Sequence, residues 1–212
     1  MKKLVLIGAS GFGSEAAWVT QRMGEFQVLG FCDDDQTKCG KNFQGLPVLG
    51  SVEVAAASLK AGGPIWFHCG IGNNRNRQLL AGRAGQAGWQ AATLIDPSAL
   101  VSPDAVIGPG CYVGAGSIVS VNAVLETHVL INQQCTIGHD SHLANYAQVC
   151  PGGRISGNVR LGEGAFIASN AVIAPGRCVG AWATVGAASF VSQDIKAGVT
   201  AIGVPARPIF GT

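Results

Sequence analysis

The chain has 212 residues, 48% of them hydrophobic, and a mean hydropathy of +0.32, which excludes disorder as its main state and provides for a buried core. Only 12% of residues are charged, about half the usual share, and 31 are glycine, about twice ordinary usage, so an ordinary helical protein is excluded. A net charge of +2, with no basic block or basic–aromatic stripe, excludes nucleic acid as an expected partner.

In chain order, Lys2 and Lys3 precede the apolar run Leu4–Ile7, which stops at Gly8 and is too short for a signal sequence or a membrane span. A cytoplasmic protein without membrane insertion is expected. The run reads as a strand, followed by a helix near Ser14–Met23, a strand Gln27–Cys32 and a helix near Val52–Lys60. A strand Ile65–Cys69, a helix near Arg75–Gly85 and a strand Gln90–Ile95 complete the first part. Strands alternating with helices predict a small parallel α/β, Rossmann-like domain over residues 1–94. Seven cysteines with no C-x-x-C pair predict neither a disulfide framework nor a zinc knuckle, so they read as reduced thiols.

The turn Gly8-Ala-Ser-Gly11-Phe12-Gly13 follows a buried strand and opens a helix, so its backbone N–H groups can face a phosphate. Asp33 lies twenty residues beyond Gly13, where a dinucleotide fold places its ribose-binding acid. The spacing G-x-x-G-x-G departs from that fingerprint, however, and four strands are too few for a two-half dinucleotide sheet. A nucleotide-sugar diphosphate makes the same demand on such a turn. The other explanation is a glycine turn that only lets helix and strand pack.

From Ile95 the texture changes. Stepping by six from Ile95 to Val191, all seventeen positions are Ile, Leu or Val. Seventeen apolar residues in a row would arise by chance roughly once in a hundred thousand. A period of six fits neither an α-helix nor a lone strand, but it fits a polygonal coil of short strands with corners between them: a parallel β-helix over residues 95–212. The third residue after the aliphatic is Gly, Asn or Asp in eleven of the seventeen hexads, as a turn requires, and the fourth is mostly small, as the inside of a narrow coil requires. Three sides per coil make eighteen residues per turn.

The hexads, as in Ile107-Gly-Pro-Gly-Cys-Tyr112 and Leu161-Gly-Glu-Gly-Ala-Phe166, resemble those of the hexapeptide-repeat acyltransferases. Spacing alone does not give the hand of the coil; the resemblance implies a left-handed, trimeric prism with active sites between subunits. The whole chain is similar to the NeuD/PglD-type sugar O-/N-acetyltransferases of bacterial sialic-acid and surface-glycan pathways. The segments that carry this are Gly8-Ala-Ser-Gly-Phe-Gly13 with Asp33-Asp34, Ile71-Gly-Asn-Asn-Arg75, and Ile137-Gly-His-Asp140. The resemblance implies acetyl-CoA as donor and a nucleotide sugar as acceptor. It places the nucleotide against Gly8, Ser10, Gly11, Gly13, Asp33, Asp34, Gly72 and Asn73, with Phe12 where the family usually has histidine.

Acetyl transfer from a thioester needs a base for the nucleophile and donors for the oxyanion. His139 lies at a corner beside Asp140, which can orient the imidazole and favour its charged form. The resemblance makes His139 the general base. Gly157, one coil later, becomes the oxyanion donor, the other explanation being an ordinary tight corner. The family's second histidine, nine residues on, is replaced here by Gln148, a hydrogen-bond donor that cannot act as a base. The resemblance also places coenzyme A along Gln148, Gly157, Ala168, Gly186, Ala187 and the tail Gly203–Arg207, where Arg207 meets a phosphate or stays solvated. His68 is expected to be structural, while His128 and His142 are expected at the surface or facing a subunit.

Three rival readings stand beside this one. A metal enzyme such as a prism-type carbonic anhydrase would use His139 and His142, but no histidine stands near position 103 to complete the set, so no metal is expected. A ping-pong enzyme would use Cys150, and a non-catalytic module would use neither. Within acetyl transfer, N-acetylation of an amino sugar is the first expectation and O-acetylation of a sialic acid or related sugar the alternative.

Overall fold

A computed structural model describes residues 1–59 and 63–209, and the chain divides into two units, Met1–Leu94 and Ile95–Thr212. In the first unit the strands are β1 (Lys2–Ile7), β2 (Phe26–Cys32), β3 (Asn42–Phe43), β4 (Leu46–Pro47), β5 (Ile65–Cys69) and β6 (Gln90–Ala91). The helices are α1 (Gly11–Met23), α2 (Val52–Leu59) and α3 (Asn74–Gln86). Lys60, the last residue of the expected second helix, lies outside the described residues. Strands β2, β1, β5 and β6 form one parallel sheet in that order. The chain leaves β1 toward β2 and returns on its other side to β5, so the loops after β1 and β5 part at the C-terminal edge of the sheet, where ligands bind in such folds.

Three local features differ from expectation. Helix α1 begins at Gly11, three residues early, because Ser10 is extended and its C=O already accepts from Ser14 N–H. The β3–β4 hairpin turns on Gln44-Gly45, both at positive φ; its two-residue strands are too short to show a period. The single strand expected over Gln90–Ile95 is two, β6 in the α/β sheet and β7 (Leu94–Ile95) in the next unit's first sheet.

The second unit is a left-handed parallel β-helix. Each of the seventeen aliphatics ends a two-residue strand, from β7 to Phe190–Val191. Strands pair one coil apart: Tyr112↔Leu130↔Gln148 on the first side, Ile118↔Thr136↔Arg154 on the second, Val124↔His142↔Arg160 on the third. From Val113 to Val191 the aliphatics are at most 1% exposed and stack into one core, each burial contributing about 1.5–3 kcal/mol.

All fourteen corner residues from Gly110 to Ala188, in steps of six, have positive φ. Among them are His128, Gln134, Tyr146, Trp182 and Ala188, residue types that disfavour this conformation, so here the stacked coil imposes the turn. Asp104 and Asp194, counted as turn residues by type, do not adopt it. The final coil is shorter: Val179 pairs with Ile195 and Val185 with Ala201, sixteen residues apart. The antiparallel pair Thr200–Gly203 and Ala206–Ile209 then closes the first sheet.

Candidate active site

In the first unit the glycine turn interlocks with its neighbours. A Cβ on Gly13 would lie 1.9 Å from Gly8 O, and one on Gly8 would lie 2.9 Å from Gly70 O, so close backbone packing demands both glycines. Gly11 and Gly72 are different, since a Cβ on either meets nothing within 4 Å. Packing thus explains half of the motif and leaves open space at the other half. Asp33 is only 15% exposed and holds the turn: its Oδ2 accepts from Ala9 N–H (3.0 Å) and from Lys38 Nζ (2.9 Å), which also donates to Ala9 O. Arg83 grips both oxygens of Asp34 and both of Glu53, and this holds the Glu53 carboxyl down to about 2. A cleft of about 80 Å³ is lined by Gly8, Asp33, Asp34 and Ile71. Asn73 Oδ1 caps α3 by accepting from Asn76 N–H, while Ser10 makes no side-chain cap and Phe12 lies in the first turn of α1.

In the second unit, His139 and Asp140 sit at the corner between the second and third sides. His139 Nδ1 lies 2.7 Å from Asp140 Oδ2, and Asn122, one coil earlier, donates to Asp140 Oδ1 at 3.0 Å. Those two bonds, the His139 one first, hold the Asp140 carboxyl below the usual carboxylate range. An ionised carboxylate only accepts, so Nδ1 carries the proton, and Nε2 is the nitrogen that can hold a lone pair or take up a second proton. The His139 side chain is 56% exposed.

Beneath Nε2 lies Gly157, where a Cβ would come within 2.4 Å of that nitrogen. The corner 156–159 is fixed to the His139 coil by Asn158 N–H donating to His139 O at 2.8 Å. Gly157 N–H makes no hydrogen bond among the described residues. Its place in the hexad is the one that Pro97, Pro103, Pro109, Pro151 and Pro175 occupy in other coils, which shows that the ladder does not use this N–H. An acceptor nitrogen and an uncommitted N–H donor therefore meet at one corner.

The remaining expected residues lie elsewhere on the coil. Ala168, Gly186 and Ala187 stack at the corner between the first and second sides, where the Ala168 and Gly186 N–H groups are spent on Val185 O and Ala201 O. Gln148 is 4% exposed on the first side, with Nε2 3.6 Å from Cys150 Sγ. Arg207 is exposed in the closing strand. One chain therefore brings His139, Asp140 and Gly157 together, and Ala168, Gly186 and Ala187 together at a different corner.

His68 is buried with Nδ1 3.0 Å from Ala92 O, as a structural histidine would be. Of the two places expected for His128, solvent is corrected: it is 8% exposed, stacks on Tyr146 one coil later at 5.3 Å, and fills the space above Gly110. His142 pairs with Glu126 at 2.9 Å. Sequence reasoning missed Glu126, Asn122, Lys38 and Arg83. The eighteen-residue step marked Asn122 as the neighbour of Asp140, and Lys38 lies only five residues from Asp33, whereas nothing local marks Arg83. Among the described residues no three His, Cys, Asp or Glu side chains gather as a metal site, and no helix is long and apolar enough to cross a membrane.

The family model of the PglD N-terminal domain matches residues 3–84. Among solved structures, the chain is similar to a mutant perosamine N-acetyltransferase from Caulobacter crescentus in complex with CoA and GDP-perosamine, at 31% identity, TM-score 0.93, and 100% and 98% of the two chains covered. It is similar to the acetyltransferase domain of PglB from Neisseria gonorrhoeae in complex with acetyl coenzyme A, at 34% identity, TM-score 0.89, and 98% and 99% coverage. It is also similar to WeeI from Acinetobacter baumannii, at 25% identity, TM-score 0.90, and 99% and 100% coverage. No curated protein sequence matches the chain.

Proposed function

The chain belongs to the NeuD/PglD-type family of sugar acetyltransferases, and from that premise we propose that it transfers an acetyl group from acetyl-CoA to the amino group of a nucleotide-linked amino sugar in bacterial surface-glycan synthesis. The observation that carries the mechanism is His139, oriented by Asp140, with Nε2 over Gly157. The amine nitrogen attacks the thioester carbonyl carbon and its proton passes to His139 Nε2. Asp140 favours the imidazolium so formed, and Gly157 N–H donates to the oxyanion. When the C–S bond breaks, the imidazolium returns the proton to the departing thiolate.

The open space at Gly11 and Gly72, on the sheet edge where β1 and β5 diverge, supports a nucleotide site in the first unit. The similar perosamine N-acetyltransferase binds GDP-perosamine, which supports a nucleotide-linked amino sugar as the acceptor class. The separation of the His139 corner from the Ala168–Gly186 corner supports a homotrimer in which the coenzyme A groove is completed by a neighbouring copy. Cytoplasm is the compartment where acetyl-CoA and nucleotide sugars meet.

The test is thiol release from acetyl-CoA with GDP-, UDP- and dTDP-linked amino sugars and with free sialic acids, for wild type and His139→Ala. Turnover of an amino sugar that the substitution abolishes is expected. Turnover only with hydroxyl acceptors would move the enzyme to O-acetylation, and a His139→Ala variant at wild-type rate would overturn the mechanism.

A further inference from the structure

Most corners of the β-helix are closed directly. The N–H of the fourth residue after a core aliphatic donates to the C=O of the first, as from Ala147 to Ala144 (3.1 Å) and from Ala165 to Gly162 (3.0 Å). Two corners are closed instead through a serine hydroxyl from the preceding coil. At 132–135, Ser117 Oγ donates to Asn132 O (2.6 Å) and accepts from Cys135 N–H (3.0 Å). At 156–159, Ser141 Oγ donates to Ser156 O (2.9 Å) and accepts from Val159 N–H (3.2 Å). Both serines are at most 1% exposed, so water does not compete for either hydroxyl.

The two corners differ in what they carry. Ser156 C=O and Gly157 N–H belong to one peptide plane, and in a trans peptide they point in opposite directions. A hydroxyl that holds Ser156 C=O inward therefore turns Gly157 N–H outward, toward the side on which the His139 ring lies. The O–H···O=C bond also polarises the amide and strengthens its N–H as a donor. Ser141 stands two residues after His139, so one short segment carries the base and fixes the peptide that faces it.

We infer that Ser141 is a positioning residue for acetyl transfer: its buried hydroxyl, set between Ser156 O and Val159 N–H, orients the Ser156–Gly157 peptide whose N–H meets the oxyanion. This rests on the reading of His139 and Gly157 given above. Without the hydroxyl, Val159 N–H is free to close on Ser156 O directly, as other corners do, and the peptide rotates with its carbonyl.

Ser117 is an internal control, because it makes the same bonds at a corner without His139 or Gly157. The experiment compares Ser141→Ala, Ser117→Ala, Ser141→Cys and His139→Ala, using acetyl-CoA and the GDP-, UDP- or dTDP-linked amino sugar that wild type turns over fastest. Melting temperatures should fall alike in the two serine-to-alanine variants. Only Ser141→Ala should lose kcat, by roughly tenfold to a hundredfold, with acceptor KM and the position of the pH profile unchanged. Ser141→Cys should recover part of that loss, since Cys135 occupies the same repeat position and its Sγ donates to Cys150 O at 3.1 Å. If Ser141→Ala does not fold, Ser141→Cys decides: a lowered kcat at unchanged KM supports the role and a wild-type kcat overturns it. Equal kcat in Ser141→Ala and Ser117→Ala, or a displaced pH profile, would also overturn it. Wild-type turnover by His139→Ala would instead remove the parent mechanism, and the inference with it.

Discussion

The Cβ that Gly157 lacks would lie 2.4 Å from His139 Nε2, so the imidazole stands in the space that a side chain on the next coil would fill. Gly157 is not in the left-handed region, and alanine is therefore tolerable to its backbone. The half-exposed ring must yield instead, and as it swings away it leaves Asp140. Gly157→Ala is expected to fold with near wild-type stability and to lose about two orders of magnitude in kcat with little change in acceptor KM. Steady-state kinetics beside a melting curve checks this, and an unchanged kcat would refute it.

Asp140→Asn keeps the shape of the side chain but offers His139 an amide in place of a carboxylate. The ring then loses both its fixed tautomer and the charge that favours the imidazolium. A loss of roughly ten- to a hundredfold in kcat is expected, less than the ~10⁴ of a buried triad, because this pair is half exposed and solvent shares its work. Asn122→Ala, which removes the second hydrogen bond to Asp140, should cost less than Asp140→Asn in the same assay.

The Arg83 guanidinium holds the Glu53 carboxyl down from 4.5 to about 2. A depressed folded-state value means that the unfolded chain binds more protons in that window, so stability rises with pH there. The contribution of the pair is full above pH 4.5 and is lost as pH falls toward 2. Glu53→Gln should therefore be less stable than wild type at pH 7, by under about 1 kcal/mol for so exposed a pair. Denaturant midpoints across the range should converge near pH 2; a gap that persists there would contradict the assignment.

Burial pushes the thiols of Cys32 and Cys69 up to about 12 and that of Cys135 up to about 11. Cys39 is exposed and Cys178 partly so. Iodoacetamide on the native protein at pH 8 should label Cys39 first, Cys178 more slowly, and the other five only after unfolding. Peptide mapping by mass spectrometry reads the order, and native labelling of Cys32 or Cys69 would show the α/β sheet opening under these conditions.

The β-helix was written in the chain because its period is local. An aliphatic every six residues and a turn-forming residue three later repeat without interruption, so the side, the corner and the eighteen-residue coil follow from counting. The same counting placed Gly157 one coil beyond His139. Local patterns also located the three long strands β1, β2 and β5 and the three helices, with ends shifted by up to three residues. Patterns this regular leave a physical trace at every step, since each side must bury its aliphatic and each corner must turn.

Tertiary structure decided what counting could not. Residue type alone did not show that His128 would be buried against Tyr146, because that follows from what fills the neighbouring corner. Arg83 reached Asp34 and Glu53, 49 and 30 residues away, across the fold rather than along a period. The glycine turn read the same whether it packed or bound a ligand, and only the distances divided it into Gly8 and Gly13, which touch backbone, and Gly11, which does not. The sequence by itself determined the coil, its repeat and the place of His139 beside Asp140 at one corner with Gly157 a coil later, since these are set by neighbours at fixed spacing. Only the folded chain decided which nitrogen of His139 is free, what stands beneath it and which way the Gly157 peptide faces, because those depend on hydrogen bonds and contacts between successive coils.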